Sequence, residues 1–372
     1  MALSRPFPQA RRAFVLAGLS ALLLTGCIGR PGRAPVDRGE PVRHQVALLV
    51  PLTGEDAPVG EALANAARLA LANTGNQSVA LTVFNTAEGG AAAAAERALA
   101  GGTGLILGPL LSDQVRAVAP LAERARVPVI AYSNDQSAAG SGVFILGVVP
   151  GQSIDRVVAY ARQRTASRFA ALAPASTYGQ RSAQASLASV GRHGGQVVAA
   201  ESYAAPGEAR AAARRLSRRG GFDAVLLPDT GRVAATTAPQ FRGSVRLLGT
   251  DLWAGERNLG ATARLRGAWY AAPSDERFGQ LVTRYRARYG SAPPRIASLG
   301  YDSMLLTISA TRSWDPRRRF PVELITNPEG FVGVDGVFRF GPDGVAQRGL
   351  EVRQVTATGY NIVSPAPTSF TR

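Results

Sequence analysis

The stretch that decides the fold runs from residue 45 to residue 85 and reads QVALLVPLTGEDAPVGEALANAARLALANTGNQSVALTVFN. Its first seven residues, QVALLVP, form an apolar run of strand length that ends at a proline. Residues 59–73 repeat small apolar side chains at helical spacing, and Gly75 predicts the end of that helix. A second strand is predicted over residues 79–85. The stretch therefore reads as strand, helix, strand.

The same alternation continues along the next part of the chain. A helix is predicted over residues 89–100, a strand over 104–107, a helix over 111–126 and a strand over 128–131. Strands separated by single helices must run parallel in one sheet, with right-handed crossovers.

A second unit repeats this plan about 120 residues further on, which is too long a period for a solenoid repeat. The predicted strands are 168–173, 196–203, 222–227 and 245–249, and the helices between them are 179–193, 208–219 and 233–241. The pattern is interrupted at 148–152 and 271–274, and two helical segments and a β stretch follow. We therefore expect the chain to cross between two similar lobes about three times, with a cleft at the strand ends.

The predicted fold class is thus α/β, with two doubly wound parallel-sheet lobes joined by a three-segment hinge and a cleft between them. The expected division of the chain assigns residues 44–148 plus 273–330 to the first lobe and residues 149–272 plus 331–362 to the second. Residues 363–372 are expected to form a C-terminal tail.

Composition excludes several function classes. The chain has 372 residues, of which 46% are hydrophobic and 18% charged, so it can bury large cores. One cysteine excludes a disulfide framework and a cysteine-rich metal site, and two histidines disfavour histidine catalysis. All 42 basic residues are arginine, which excludes lysine-dependent phosphate or Schiff-base chemistry. We expect no enzyme activity, no metal and no cofactor. The net charge of +16 comes without a motif for binding nucleic acid, so no nucleic-acid partner is expected.

The N-terminal residues have the pattern of an export signal. Three arginines precede an apolar stretch of about 12 residues, which is the length of a secretory signal core. Residues 24–27, Leu-Thr-Gly-Cys, resemble the bacterial lipobox. This predicts a lipoprotein signal peptide over 1–26, a lipidated Cys27 and a flexible tether over 27–43. A plain signal peptide with a coincidental cysteine is the alternative, and Arg11-Arg12 leaves the Sec or twin-arginine route open.

A family resemblance accompanies these patterns. Residues 46–71 with the Pro-Leu-Thr-Gly turn at 51–54, Leu-Ile-Leu-Gly-Pro-Leu-Leu-Ser at 105–112 and Leu-Gly-Thr-Asp at 248–251 resemble the type I periplasmic binding proteins of the leucine/isoleucine/valine class. So do Arg-Val-Pro-Val-Ile-Ala at 126–131 and the later Tyr-Asp-Ser at 301–303. The resemblance covers about residues 44–362 and implies the periplasmic binding protein-like I fold, with binding and no catalysis.

Residues 131–137, Ala-Tyr-Ser-Asn-Asp-Gln-Ser, together with the lipobox, are more similar to the branch of penicillin-binding protein activators. That resemblance implies a regulator of peptidoglycan synthesis that partners a penicillin-binding synthase. Ile28 after Cys27 resembles lipoproteins sorted to the outer membrane, so we expect a lipid-anchored periplasmic protein there. The alternative is a substrate-binding protein that serves an ABC permease in amino acid transport and takes an amino acid or a similar small polar solute.

Six residues at predicted strand ends are the candidate ligand-binding set: Ser112, Ser133, Asp135, Tyr178, Thr230 and Asp251. Ser112 follows the third strand at a helix start, where its hydroxyl and the free backbone N–H groups can hold an anion. The alternative role for Ser112 is an ordinary helix cap. The resemblance implies a carboxylate clamp at Ser133, a cleft wall at Tyr178 and an ammonium partner at Asp251. The alternatives are a core or helix-entry tyrosine at 178 and a loop-turn aspartate at 251. Thr230 is expected in a loop that faces the cleft. Asp135 departs from the family pattern, since its carboxylate repels a ligand carboxylate, and its alternative is a turn cap.

Overall fold

A computed structural model describes residues 42–370, so the predicted signal peptide and Cys27 lie outside the described residues. The first sheet holds five parallel strands in the order β2-β1-β3-β4-β5. They are β1 (His44–Val50), β2 (Val79–Asn85), β3 (Leu105–Leu107), β4 (Val129–Ala131) and β5 (Val143–Ile145). The helices between them are α1 (Ala57–Thr74), α2 (Gly90–Ala100) and α3 (Ser112–Ala125). The predicted alternation of strand and helix is present.

Local sequence explains the ends of these elements. A proline in the first turn starts α1, and Gly75 ends it with φ +62°, a conformation that glycine adopts without strain. The inward faces of β1 and β3 and of α1 are fully buried in one hydrophobic cluster. Continuous burial of the strands follows from helices that cover both faces of a parallel sheet.

The second sheet has seven strands in the order β15-β14-β10-β9-β8-β6-β7. Its parallel part consists of β6 (Arg168–Pro174), β7 (Gln196–Tyr203), β8 (Ala224–Leu227), β9 (Arg246–Gly249) and β10 (Trp269–Ala272). The accompanying helices are α4 (Pro150–Gln163), α5 (Thr177–Arg192), α6 (Ala209–Arg219) and α7 (Gly231–Thr237).

After β10 the chain returns to the first sheet. Two helices, α8 (Glu276–Tyr289) and α9 (Ala297–Ala310), bury Leu281 and Met304 in the cluster that contains β1 and α1. At Gly300 a Cβ atom would lie 2.3 Å from the carbonyl oxygen of Leu63, so glycine permits the close approach of α9 to α1.

A small antiparallel sheet then packs on this same core. It consists of β11 (Phe331–Gly333), β12 (Gly336–Phe340) and β13 (Ala346–Arg348). The Phe340 ring meets the Phe144 ring edge to face at 5.4 Å, and Phe338 is buried in the same cluster. Residues 331–362 are predicted to belong to the second lobe, and for residues 331–348 this prediction is wrong, because their aromatic side chains are buried against the first sheet.

The chain joins the second sheet again only at its end. β14 (Glu351–Val355) pairs antiparallel with β10, and β15 (Tyr360–Ser364) pairs antiparallel with β14. The chain therefore passes between the two sheets at three segments, residues 146–149, 273–275 and 349–350. The predicted α/β class with parallel sheets is confirmed. Among residues 42–370, no helix combines the length and apolar character needed to cross a bilayer.

Candidate functional site

A cavity of about 490 Å³, called the cleft cavity below, lies where the strand ends of the two sheets meet. The first sheet contributes Leu110 and Leu111 after β3 and Asn134 after β4, and the second contributes Asp251 and Leu252 after β9. The remaining lining residues are Val59, Tyr132, Gly147, Val148, Ala254, Gly255, Pro273, Arg295, Ile296, Ser298, Leu299 and Asp335. Carboxyl ends of parallel strands are where open α/β sheets bind ligands. The walls are mostly apolar with a few charged groups, which is the usual composition of a small-molecule site.

Asp251 brings a carboxylate to this cavity. It begins the turn after β9, and its Oδ1 accepts a hydrogen bond of 2.8 Å from the Ser153 hydroxyl at the start of α4. Burial raises the pKa of Asp251 to about 6, against the opposing effect of that hydrogen bond. At neutral pH the group is still mostly ionised and can pair with a cation.

Tyr178 lies in the first turn of α5, where Ser176 caps the helix by accepting from the Gly179 N–H. Its hydroxyl is buried and has no hydrogen-bond partner. Burial raises the pKa of Tyr178, and the negative charge of Asp251 raises it further. The two residues are therefore electrostatic neighbours, although Tyr178 does not line the cleft cavity.

Asp135 has no exposed surface and is held from both sides. Its Oδ2 accepts from Arg116 of α3 at 2.5 Å and from Arg181 of α5 at 2.6 Å. Its Oδ1 accepts from the Ser137 N–H at 3.0 Å and the Ser137 hydroxyl at 2.6 Å. Burial alone would raise the pKa of Asp135, but the Ser137 bonds and the two guanidinium groups outweigh it and lower the pKa. Asp135 thus caps a turn and links a helix of one sheet to a helix of the other.

The serine and threonine candidates also lie outside the cleft cavity. Ser133 is buried and its Oγ accepts from the Asp135 N–H at 3.1 Å, so it supports the loop that carries Asp135. Thr230 is exposed and caps α7. Ser112 is the first residue of α3, with Leu111 in the capping position. Of the six predicted residues, Asp251 alone lines the cavity.

Sequence reasoning missed the arginines of this region. Arg116 and Arg181 lie near the starts of helices that follow β3 and β6, a position from which side chains reach the strand ends. Arg295 lines the cleft cavity and binds Asp335 with Nη2 at 2.8 Å and also pairs with Asp275. Basic residues at predicted helix starts were the signal that could have found the first two.

Within residues 42–370, no group of three or more His, Cys, Asp or Glu side chains is arranged to hold a metal ion. The cleft cavity offers the carboxylate of Asp251, the ion pair of Arg295 with Asp335, and mostly apolar walls.

Comparison with known proteins identifies the same architecture elsewhere. A family model described as "Periplasmic binding protein" matches residues 44–360. An uncharacterized protein of Rickettsia prowazekii (strain Madrid E) is 27% identical over 161 residues, and the match spans 43% of each chain.

Solved structures match over most of the chain. A putative branched-chain amino acid ABC transporter protein from Rhodospirillum rubrum has a TM-score of 0.76 at 19% identity and covers 87% of this chain and 100% of its own. The C-domain of LpoA from Haemophilus influenzae, a regulator of PBP1A, has a TM-score of 0.67 at 16% identity. The match covers 86% of this chain and 99% of the LpoA domain. LivJ from Streptococcus pneumoniae, in complex with isoleucine, has a TM-score of 0.64 at 19% identity. The match covers 87% of this chain and 100% of LivJ. At these identities the likeness establishes a shared fold.

Proposed function

The chain belongs to the periplasmic binding protein family, and from that premise we propose that it is a non-enzymatic envelope protein that regulates peptidoglycan synthesis by binding a penicillin-binding synthase. The family is a ligand-binding one, and membership implies a location in the periplasm or cell envelope. The proposal includes the predicted lipid anchor on Cys27 in the outer membrane. A solved relative of this fold, the LpoA C-domain, is a regulator of PBP1A.

The observation that carries the proposal is the bridge Arg116–Asp135–Arg181. The loop after β4 is where the resemblance implies a clamp for a ligand carboxylate. Here a carboxylate of the chain itself accepts from one guanidinium on each side. Both arginines at this point are therefore already paired without any solute.

Such a bridge makes closure of the cleft less dependent on a bound solute. A transport receptor signals its loaded state only if the solute binds the closed form much better than the open form. An ion pair between the lobes favours the closed form at all times, which reduces the share of closure that a solute can control. A pair of lobes that is biased towards the closed form offers a more constant surface, as a protein partner requires.

A solute receptor remains the second candidate because of Asp251. Its partly buried carboxylate lines a largely apolar cavity of about 490 Å³, and an ammonium group beside a small apolar side chain fits that chemistry. In this case the chain partners an ABC permease and binds an amino acid or a similar solute.

One pair of measurements separates the candidates. The full-length protein is used for pull-down from envelope extract and is added to glycan polymerisation by the class A penicillin-binding synthases of the same cell. We expect one synthase to be enriched and its polymerisation rate to rise. In parallel, a panel of the common amino acids is tested for shifts in melting temperature, because a ligand that binds the native state must stabilise it. No enrichment and no rate change, with a clear shift for one amino acid, would refute the regulator and support the receptor.

A further inference from the structure

Helix α6 carries a row of arginines on its outer face, while its inner face is buried in the hydrophobic cluster of the second sheet. Arg210, Arg214 and Arg218 are four residues apart, so they lie on one side of the helix, about 6 Å from one another along its axis. All three are exposed, and none of them lines the cleft cavity. These three residues are called the α6 arginine row below.

The charge of the α6 arginine row is not compensated by the protein. No carboxylate of residues 42–370 lies within 4.0 Å of its three guanidinium groups. The other arginines of the same helix differ in this respect, because Glu201 of β7 binds Arg215 at 3.2 Å and Arg219 at 2.5 Å. Within one helix, therefore, one set of arginines is paired and the other faces solvent unpaired.

Helix stability does not explain the α6 arginine row. Like charges four residues apart repel each other, so Arg214 is disfavoured by both of its neighbours in the row. Arg210 lies in the first turn, where the helix dipole disfavours a cation, and only Arg218 lies in the last turn, where the dipole favours one. The row thus has an electrostatic cost that an anionic surface outside the chain would relieve.

The chemistry of this outer face favours a lipid surface over a protein. Protein interfaces are centred on aromatic and apolar side chains that become buried. None of the large apolar side chains exposed among residues 42–370 lies on α6, and Ala211 is the only exposed residue of α6 that is not an arginine. Anionic headgroups require only charge, and a guanidinium group can donate two parallel hydrogen bonds to one phosphate.

We propose that the α6 arginine row docks the second lobe on an anionic phospholipid surface. The choice of this occupant rests on the proposed location of the chain in the cell envelope. The predicted lipid site at Cys27 lies about 17 residues before β1, so β1 of an anchored chain stays within about 60 Å of the bilayer. Docking through α6 turns one defined side of the second lobe towards the headgroups.

The test uses the chain from residue 28 onward, which contains no cysteine that could carry a lipid. All strands of both large sheets lie within residues 42–370 and pair there, so this chain keeps them. Binding is measured by co-sedimentation with vesicles of pure phosphatidylcholine and with vesicles of equal parts phosphatidylcholine and phosphatidylglycerol. We expect binding to the anionic vesicles only, and we expect added salt to weaken it because exposed charges are screened.

One variant removes the α6 arginine row. Arg210→Gln, Arg214→Gln and Arg218→Gln are combined in a single chain, which should bind the anionic vesicles at least about tenfold more weakly than the wild type. The substitutions are on an exposed face and remove like-charge repulsion, so the melting temperature should not fall. A melting curve of this variant therefore verifies that it is folded.

The matched control removes the same net charge from another helix. Arg277→Gln, Arg284→Gln and Arg286→Gln are combined on α8, which packs on the first sheet. These arginines are exposed and form no ion pair with residues 42–370, but Arg286 lies on the opposite side of the helix from the other two. We expect this variant to retain most of the binding.

A site-specific label tests the orientation. Ala211→Cys places a single cysteine on the exposed side of α6, and Ala125→Cys places one at the exposed end of α3, beside the first sheet. Each is labelled with a donor dye, and the vesicles carry an acceptor dye on their headgroups. Energy transfer should be larger from position 211, and equal transfer from both positions would contradict docking through α6.

Three further results would overturn the proposal. The first is equal binding to both kinds of vesicle, or binding to neither. The second is unchanged binding in the folded α6 variant, or an equal loss in the α8 control, which would mean a general effect of net charge. The third is displacement from the vesicles by poly-L-glutamate at an equal concentration of negative charge, which would assign the row to an acidic protein. Neither a synthase nor Cys27 enters these measurements, so their failure and the failure of the regulator proposal are distinguishable.

Discussion

The bond between Arg181 and Asp135 should hold the two lobes together, and its removal should open the cleft. Asp135 has no exposed surface, Arg181 is 27% exposed, and their atoms lie 2.6 Å apart. A hydrogen bond to a charged group contributes about 1.5–3 kcal/mol, and the exposed part of Arg181 reduces this to roughly 1–2 kcal/mol. Arg181→Met keeps the apolar stem of the side chain and loses this bond. Since 1.4 kcal/mol is about a factor of ten, we expect the open form to gain about 5- to 30-fold in population.

Arg116→Met is the matched control. Arg116 binds the same Oδ2 at 2.5 Å, but it lies on α3, which belongs to the same sheet as the Asp135 loop. Its loss removes a similar interaction within one lobe. We therefore expect a change in stability without a change in the distance between lobes.

The assay is a distance measurement by double electron–electron resonance. Spin labels are placed on cysteines introduced at the exposed positions Glu96 of α2 and Arg210 of α6, with Cys27 replaced by serine. The expected result is a second, longer distance in Arg181→Met that is absent from the wild type and from Arg116→Met. Identical distance distributions in all three proteins would refute the reasoning, and so would equal opening in both variants.

Two further predictions concern stability. Burial and the charge of Asp335 raise the pKa of Asp302 to about 7. Between about pH 4 and pH 7 the folded state therefore holds a proton that the unfolded state has released. The free energy of unfolding falls as the pH rises through this range. Asp302→Asn keeps an acceptor for the Val334 N–H. In urea titrations its free energy of unfolding should be near that of the wild type at pH 5 and higher at pH 8, by an amount on the order of a few kcal/mol. An equal difference at both pH values would contradict this. Gly300→Ala places a methyl group 2.3 Å from a backbone oxygen and should lower the melting temperature, at a cost of about 1–3 kcal/mol. Gly279→Ala in α8 meets nothing within 4 Å and should raise the melting temperature slightly, so a loss in both variants would point away from the α1–α9 contact.

Local periodicity predicted most of the elements, because strands and helices repeat their apolar residues at different spacings. The predicted helix over 59–73 lies inside α1, and the predicted strand over 79–85 coincides with β2. β5 and α4 were missed. β5 has only three residues, and α4 begins with Pro150, inside the stretch 148–152 where the apolar pattern is interrupted.

The candidate site was predictable in part. Asp251 was predicted because the family resemblance implies an acidic ligand partner there, and in the structure it lines the cleft cavity at the carboxyl end of β9. The partners of Asp135 were not found, since Arg116 is 19 residues away and Arg181 is 46 residues away. No spacing rule joins residues at such separations.

By itself, the sequence determined that two α/β units lie in one chain, because apolar spacing and glycine and proline positions act over a few residues. The tertiary structure alone decided that residues 331–348 pack on the first sheet and that Asp135 joins helices of both sheets. The physical reason is that burial and pairing depend on which distant surfaces meet, and that follows only from the packing of the whole fold.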